Sequence, residues 1–203
     1  MSRTPGQSAV RSDVQTPSAT AVPVADLPAA PHQLAARAGE VLGWPGVVLP
    51  QMTLLGRKIV VCAELVPEAH AERLCLGCGP VPDRVAVSTW FWPEMAGRVP
   101  PQAVRIVGAF AVARHWRTAL ASAVPFARYG NVAMVLPSSA ALTRDYLANC
   151  LPRVRRHGVA VLLADPEGEV TLDVAGQRGG APEQTSLSRW VHEVVYEKLL
   201  ATC

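Results

Sequence analysis

Residues 104–137, VRIVGAFAVARHWRTALASAVPFARYGNVAMVLP, decide the fold. Val104 to Val112 is an apolar run of strand length, and Asn131 to Leu136 is a second, stopped by Pro137. Between them lies a basic, amphipathic segment from Arg114 to about Arg128, with Trp116, Leu120 and Ala123 at i, i+4 and i+7. That spacing puts the three side chains on one face of a helix, while Arg114, Arg117 and Arg128 point elsewhere. A strand, a helix-length connection and another strand make a βαβ unit whose strands lie parallel in one sheet. The helix rests on that sheet with a basic outer face.

C-terminal to this unit, Ser138-Ser139 offers good N-cap residues for a helix that runs through Leu142, Tyr146 and Leu147 to Cys150. Pro152 breaks or restarts it. Arg153, Arg155, Arg156 and His157 form a basic cluster ahead of Gly158. Val159 to Ala164 reads as a buried strand, Asp165 to Gly168 as a turn, and Glu169 to Val174 as the hairpin partner. A Gly/Pro loop from Gln177 to Gln184 leads to a closing helix, Ser186 to Leu200, with Leu187, Trp190, Val194 and Leu199 inward.

On the N-terminal side, Asp83 to Trp92 reads as a strand by the alternation of Val85 and Val87 with Ala86 and Ser88. Its last residues, Trp90-Phe91-Trp92, are assigned to core packing at a strand end. Pro67 to Pro82 is a loop or short helix. Val47 to Leu55 and Lys58 to Leu65 are strands joined by a tight hairpin at Gly56-Arg57. Pro31 to Trp44 is the first helix, with Leu34, Ala38, Val41 and Leu42 as its apolar stripe and Gly43 at its end. Residues 1–30, rich in Ser, Thr, Pro, Ala and Gln and without an aromatic, cannot bury enough apolar surface to offset their ordering entropy. The expectation is a disordered tail (1–30) and one domain (31–203) of α/β or α+β type: a mixed central sheet flanked by helices in three layers.

The order of these parts resembles the core of the restriction-endonuclease-like, or PD-(D/E)XK, nuclease superfamily. Its helix is often written like W-R-x-A-L-x-Q-A, and here the residues are Trp116-Arg117-Thr118-Ala119-Leu120-Ala121-Ser122-Ala123. A strand ending in proline follows, here Val132 to Pro137, and the later stretch Gly158 to Val170 is similar to the "G-x-x-L-L" strand of those families. The strand before the helix should carry E-x-K, and Ala109-Phe110-Ala111 stands there instead. Residues i and i+2 of a strand share a face, so Ala109 and Ala111 keep the geometry of that pair and lose both functional groups. The resemblance therefore implies a nuclease-like domain with a degenerate active site, nucleic-acid-associated or regulatory. The alternatives are a Mg²⁺-dependent nuclease with displaced carboxylates, and a protein–protein adaptor using Trp90–Trp92 and the tail.

For a displaced metal site the resemblance points to Asp83 in the place of the first acidic residue, Glu64 as its runner-up, and Glu40 on the first helix; Glu94 is a further carboxylate within reach of such a migration. Phosphodiester hydrolysis needs carboxylates converging on the metal and a cation near the scissile phosphate. Arg114, Arg117 and Arg128, with Arg153, Arg155 and Arg156, are the candidates for phosphate contacts. Cys75-Leu76-Gly77-Cys78 is half of a zinc knuckle without its other half, so no zinc and no resident cofactor is expected. The five histidines never pair at metal spacing, and a solitary His115 is assigned no catalytic role.

Composition bounds the rest. Half of the 203 residues are hydrophobic, enough for a sizeable core, and a formal charge of +3 is compatible with DNA without requiring it. No secretory signal and no apolar run of membrane-spanning length is visible, so the five cysteines are expected to be reduced thiols in a cytoplasmic protein.

Overall fold

The central βαβ unit is present, with β-strand and helix where the hydrophobic pattern places them. In the computed structural model, which describes residues 23–177 and 184–202, the chain order is α1 (Pro31–Leu42), β1 (Val47–Val48), β2 (Met52–Leu54), β3 (Arg57–Leu65), α2 (Pro67–Cys75), α3 (Arg84–Thr89), β4 (Val104–Val112), α4 (Trp116–Ala123), β5 (Asn131–Pro137), α5 (Leu151–His157), β6 (Ala160–Ala164), β7 (Val170–Val174) and α6 (Ser186–Leu200). Residues 1–22 of the expected tail, most of the expected Gly/Pro loop and Cys203 lie outside the described residues.

The strands form one mixed sheet in the order β1-β3-β4-β5-β6-β7, with β2 also paired to β3. β4 and β5 are parallel, as are β5 and β6, whereas β3–β4 and β6–β7 are antiparallel. Helices cover both faces, which is the α/β arrangement expected. One face packs α1 through Leu34, Ala35 and Ala38 against Val60, Phe110, Val135 and Leu162. The other packs Trp116, Leu120 and Ala123 of α4, with Val191, Val195 and Leu199 of α6, against Val61, Ile106 and Met134. Val41, expected in the α1 stripe, is exposed.

Three local readings change. The hairpin turns at Leu55-Gly56, one residue earlier than expected, so that Leu54 pairs with Arg57. Both turn residues have positive φ, 50° and 70°, the combination that matches the twist of a two-residue hairpin. The expected strand at Asp83–Trp92 is the short helix α3, whose apolar residue Val87 is buried while Val85 is exposed. Asp83 is its N-cap, accepting from the Val85 amide at 2.8 Å, and this local bond offers the backbone a helical start that alternation alone does not reveal. The segment expected as one helix from Ser138 is a 3₁₀ turn at Ser138–Ala140 followed by a π-helical turn, Tyr146–Cys150, that runs into α5. Pro152 sits where the π-helical turn joins α5 and removes one amide proton from an otherwise continuous helical backbone.

The end of the expected tail is also fixed in place. Arg114 holds the Val24 carbonyl at 2.9 Å and Asp26 at 3.0 Å, and the Ala25 amide donates to Ser139 Oγ at 2.9 Å. Among the described residues no helix is long and apolar enough to cross a membrane.

Candidate functional site

Ala109 and Ala111 share a face of β4, as their spacing requires, and that face is closed. Ala109 pairs with Val61 and Val132, Ala111 pairs with Met134, and both alanines lie in the core beneath α4. The three candidate carboxylates stand apart from them. Glu40 is exposed on α1, on the opposite face of the sheet. Glu64 lies directly across from Arg105 in the β3–β4 ladder and forms an ion pair with it. Asp83 caps α3, which packs on α6. Glu94 lies in an exposed 3₁₀ turn. Among the described residues no group of three His, Cys, Asp or Glu side chains is placed to hold a metal ion.

Cys75, the last residue of α2, is exposed, and Cys78, just beyond the helix, is half-buried. His70, the one nearby imidazole, turns away from them to Tyr196, with Nδ1 2.7 Å from the phenol oxygen. Cys62 and Cys150 are buried thiols; burial pushes the first up to about 11 and the second up to about 12, so both are protonated and poor nucleophiles at neutral pH.

The predicted arginines divide into two groups. Arg114 is engaged by Val24 and Asp26, as above. Arg117 makes a bidentate pair with Asp145 at 2.7 and 2.9 Å, and Trp116 Nε1 donates to the same carboxylate at 2.7 Å. These hydrogen bonds, from Trp116 first, then Asn149 and Arg117, hold the Asp145 carboxyl below the usual range. The Trp116 ring carries Arg117 at 4.5 Å and Arg153 at 5.5 Å from its centroid, so the start of α4 and α5 meet at one indole. Arg153, Arg155 and Arg156 are exposed along α5 and form no ion pair among the described residues. Arg128 is exposed in the turn leading to β5.

Two features of the site were not visible in the sequence. The first is a buried charge network on α6. Arg73 of α2 is fully buried and spends its five N–H groups on Cys78 O, Pro101 O, Gly79 O and both oxygens of Glu193, the last two at 2.7 and 2.8 Å. Arg189 joins at 3.1 Å and lies 5.2 Å over Trp90. The buried face of α6 therefore includes Ser188, Arg189, His192 and Glu193, whereas Leu187, Trp190 and Val194, expected inward, are only half-buried. Phe91 and Trp92, assigned to the core, are 48 % and 60 % exposed.

The second is a cleft of about 830 Å³ at the end of the sheet where β5 and β6 begin and β7 ends. The α1–β1 link supplies Trp44, whose ring sits 4.6 Å from that of Phe110. Trp44 lies so close to β4 that a Cβ at Gly108 would collide with it, which is why glycine stands there. Gln102, Tyr129, Asn131 and His192 bring polar groups to the walls. His192 is 4 % exposed, with Nδ1 2.7 Å from the Ser188 carbonyl. Burial holds its basicity below the ordinary value, against the opposing pull of that hydrogen bond. Burial likewise raises the Tyr129 phenol, which stays protonated.

The chain matches no family model, no curated protein and no solved structure.

Proposed function

We propose that this chain is a nuclease-like domain without catalysis of its own that associates with nucleic acid through the basic rim where α4 meets α5. The observation that carries the reading is the Trp116 junction. There Arg153 shares the indole with Arg117 and leads into Arg155 and Arg156, which are free to reach phosphates. The packed alanine face at 109 and 111 supports the non-catalytic half of the reading, since neither a metal nor a scissile phosphate reaches a core covered by α4. Three phosphate contacts release about three counterions, so affinity for duplex DNA should fall roughly 40-fold between 50 and 200 mM salt.

The test is a fluorescence titration of duplex and single-stranded DNA at both salt concentrations, alongside incubation with Mg²⁺ or Mn²⁺. Salt-dependent binding that disappears in the Arg153→Glu/Arg155→Glu/Arg156→Glu variant, without cleavage, is the expected result. Binding unaffected by that variant refutes the interface. Cleavage refutes the loss of catalysis and directs attention to Glu64 and Asp83.

A second reading, an adaptor for a protein partner, is favoured by the exposure of Phe91 and Trp92 beside an exposed Val85. A salt-insensitive protein interaction lost on Trp92→Ala, without DNA affinity, would select it.

A further inference from the structure

The cleft at the sheet end has a hydrogen-bonding sense that the side chains around it fix. Carbonyl oxygens only accept, so the Asn131 amide must turn Nδ2 toward Val107 O at 3.1 Å, and Gln102 must turn Nε2 toward Val104 O at 3.0 Å. Both residues are then left with a carbonyl oxygen unspent. The same logic applies to His192: Nδ1 faces the Ser188 carbonyl and must carry the proton of the neutral ring, leaving Nε2 as a lone pair. None of these three acceptors has a donor among the described residues. His192 is 4 % exposed and lines the cleft.

The rest of the wall is mainly apolar, with the Tyr129 hydroxyl and the Gln177 amide set into it. Trp44, Leu42, Val107, Ile106 and Leu172 provide most of it. Arg105 is the one Lys or Arg among the lining residues, and Glu64 already neutralises it at the mouth. A charged ligand would find no uncompensated opposite charge here. The volume falls within the range of small-molecule sites, which combine apolar walls with a few placed polar groups.

We propose that this cleft binds an uncharged, amino-substituted aromatic heterocycle, its ring against Trp44 and its N–H groups donated to Gln102 Oε1, Asn131 Oδ1 and His192 Nε2. The class follows from the complement of the walls: a planar apolar body with donors on its edge. A ring bearing only acceptors sets its own lone pairs against these three acceptors, and such a mismatch is costly. The assignment rests on no part of the nucleic-acid reading, because Trp44 and Gln102 belong to neither α4 nor α5.

The test compares ring pairs that differ by one amino group. Adenine and 2-aminopurine are titrated against the full chain, by saturation-transfer NMR and by quenching of 2-aminopurine fluorescence, with purine as the competitor. Both amino compounds should bind with submillimolar affinity and purine about tenfold more weakly. Gln102→Leu, at a half-exposed position before β4, should weaken the amino compounds about tenfold and leave purine unchanged, while Arg153→Glu should leave both unchanged. Failure of both amino compounds to bind, or equal affinity of purine, overturns the proposal on the wild-type chain alone. Equal binding by Gln102→Leu of unaltered thermal stability overturns the assignment of the acceptors.

Discussion

Glu193→Gln is the substitution that the buried charge network makes most costly. The carboxylate is 1 % exposed and faces two guanidiniums, Arg73 at 2.7 Å and Arg189 at 3.1 Å, and it also accepts from the Val81 amide at 3.0 Å. Arg189 already feels burial, which lowers its basicity, with Glu193 as the compensating charge. Replacing Glu193 by its amide keeps the volume and leaves two buried cations without a counter-charge. Removing one partner of a buried pair costs about 3–5 kcal/mol, a large fraction of the total stability of an ordinary domain. With a urea dependence of about 2 kcal/mol per M, the unfolding midpoint should fall by about 1.5–2.5 M, and the thermal midpoint by roughly 6–20 °C. Arg73→Met should cost a comparable amount, and combining it with Glu193→Gln should cost about 2 kcal/mol less than the sum. Arg73→Lys should not rescue, because an ammonium cannot reach Cys78, Gly79, Pro101 and both Glu193 oxygens together. The assay is urea unfolding followed by tryptophan fluorescence and far-UV circular dichroism. A loss below about 1 kcal/mol for Glu193→Gln, or strict additivity in the double variant, would falsify the account of the pair as the tie between α2 and α6.

Further expectations concern single positions. Because the folded-state pKa of His192 lies below its unfolded value of 6.5, the unfolded chain takes up the proton first as pH falls; stability contributed by the neutral ring is present above pH 6.5 and is lost progressively below it. His192→Gln should flatten the thermal midpoint between pH 7.5 and 5, and an unchanged slope would rule His192 out as the source. Gly108→Ala should destabilise by about 1–3 kcal/mol through collision with Trp44, and the added substitution Trp44→Leu should relieve part of that loss; calorimetry of the two variants decides. Ala109→Glu/Ala111→Lys recreates E-x-K on a face that is 3 % and 1 % exposed, so it should unfold the domain or lower its stability by several kcal/mol rather than restore cleavage. Mg²⁺-dependent cleavage by a folded form of that variant would contradict the closed face.

The parts of the fold that were legible in the sequence are those with a long, unbroken pattern. Val104–Val112 and Ser186–Leu200 have the bounds that their periodicity indicates, because every turn or alternate residue supports the same element. Shorter elements were decided by contacts that no window contains. α3 was misread because Val85 and Val87 alternate, yet only Val87 is buried, and the helix exists through the Asp83 cap and its packing on α6. The orientation of α6 was misread for a related reason. A second apolar stripe, Val191, Val195 and Leu199, is the one that packs on the sheet, and the same buried arc includes Glu193, which meets Arg73, 120 positions away. The cleft was invisible for the same reason, since Trp44, Gln102, Asn131 and His192 have nothing in common until the sheet closes. The basic cluster at Arg153–Arg156 was readable locally, whereas the spending of Arg117 on Asp145 was not.

The two short strands beside β3 bear on how this protein behaves in a crowded solution. A sheet whose outermost strand is long and flat offers a ladder of free amides to any other unpaired strand. Here the outer side of β3 is divided between β1, two residues long, and β2, three residues long, with Pro50 between them. Proline has no amide proton to donate, and neither fragment is long enough to template a new strand. The opposite border, β7, carries exposed Thr171, Leu172 and Asp173 across its middle. A chain that is half hydrophobic thus presents, on the β3 side, a border on which a second copy finds little to extend. Replacing Pro50 by valine would lengthen that border and should promote self-association before it harms the fold.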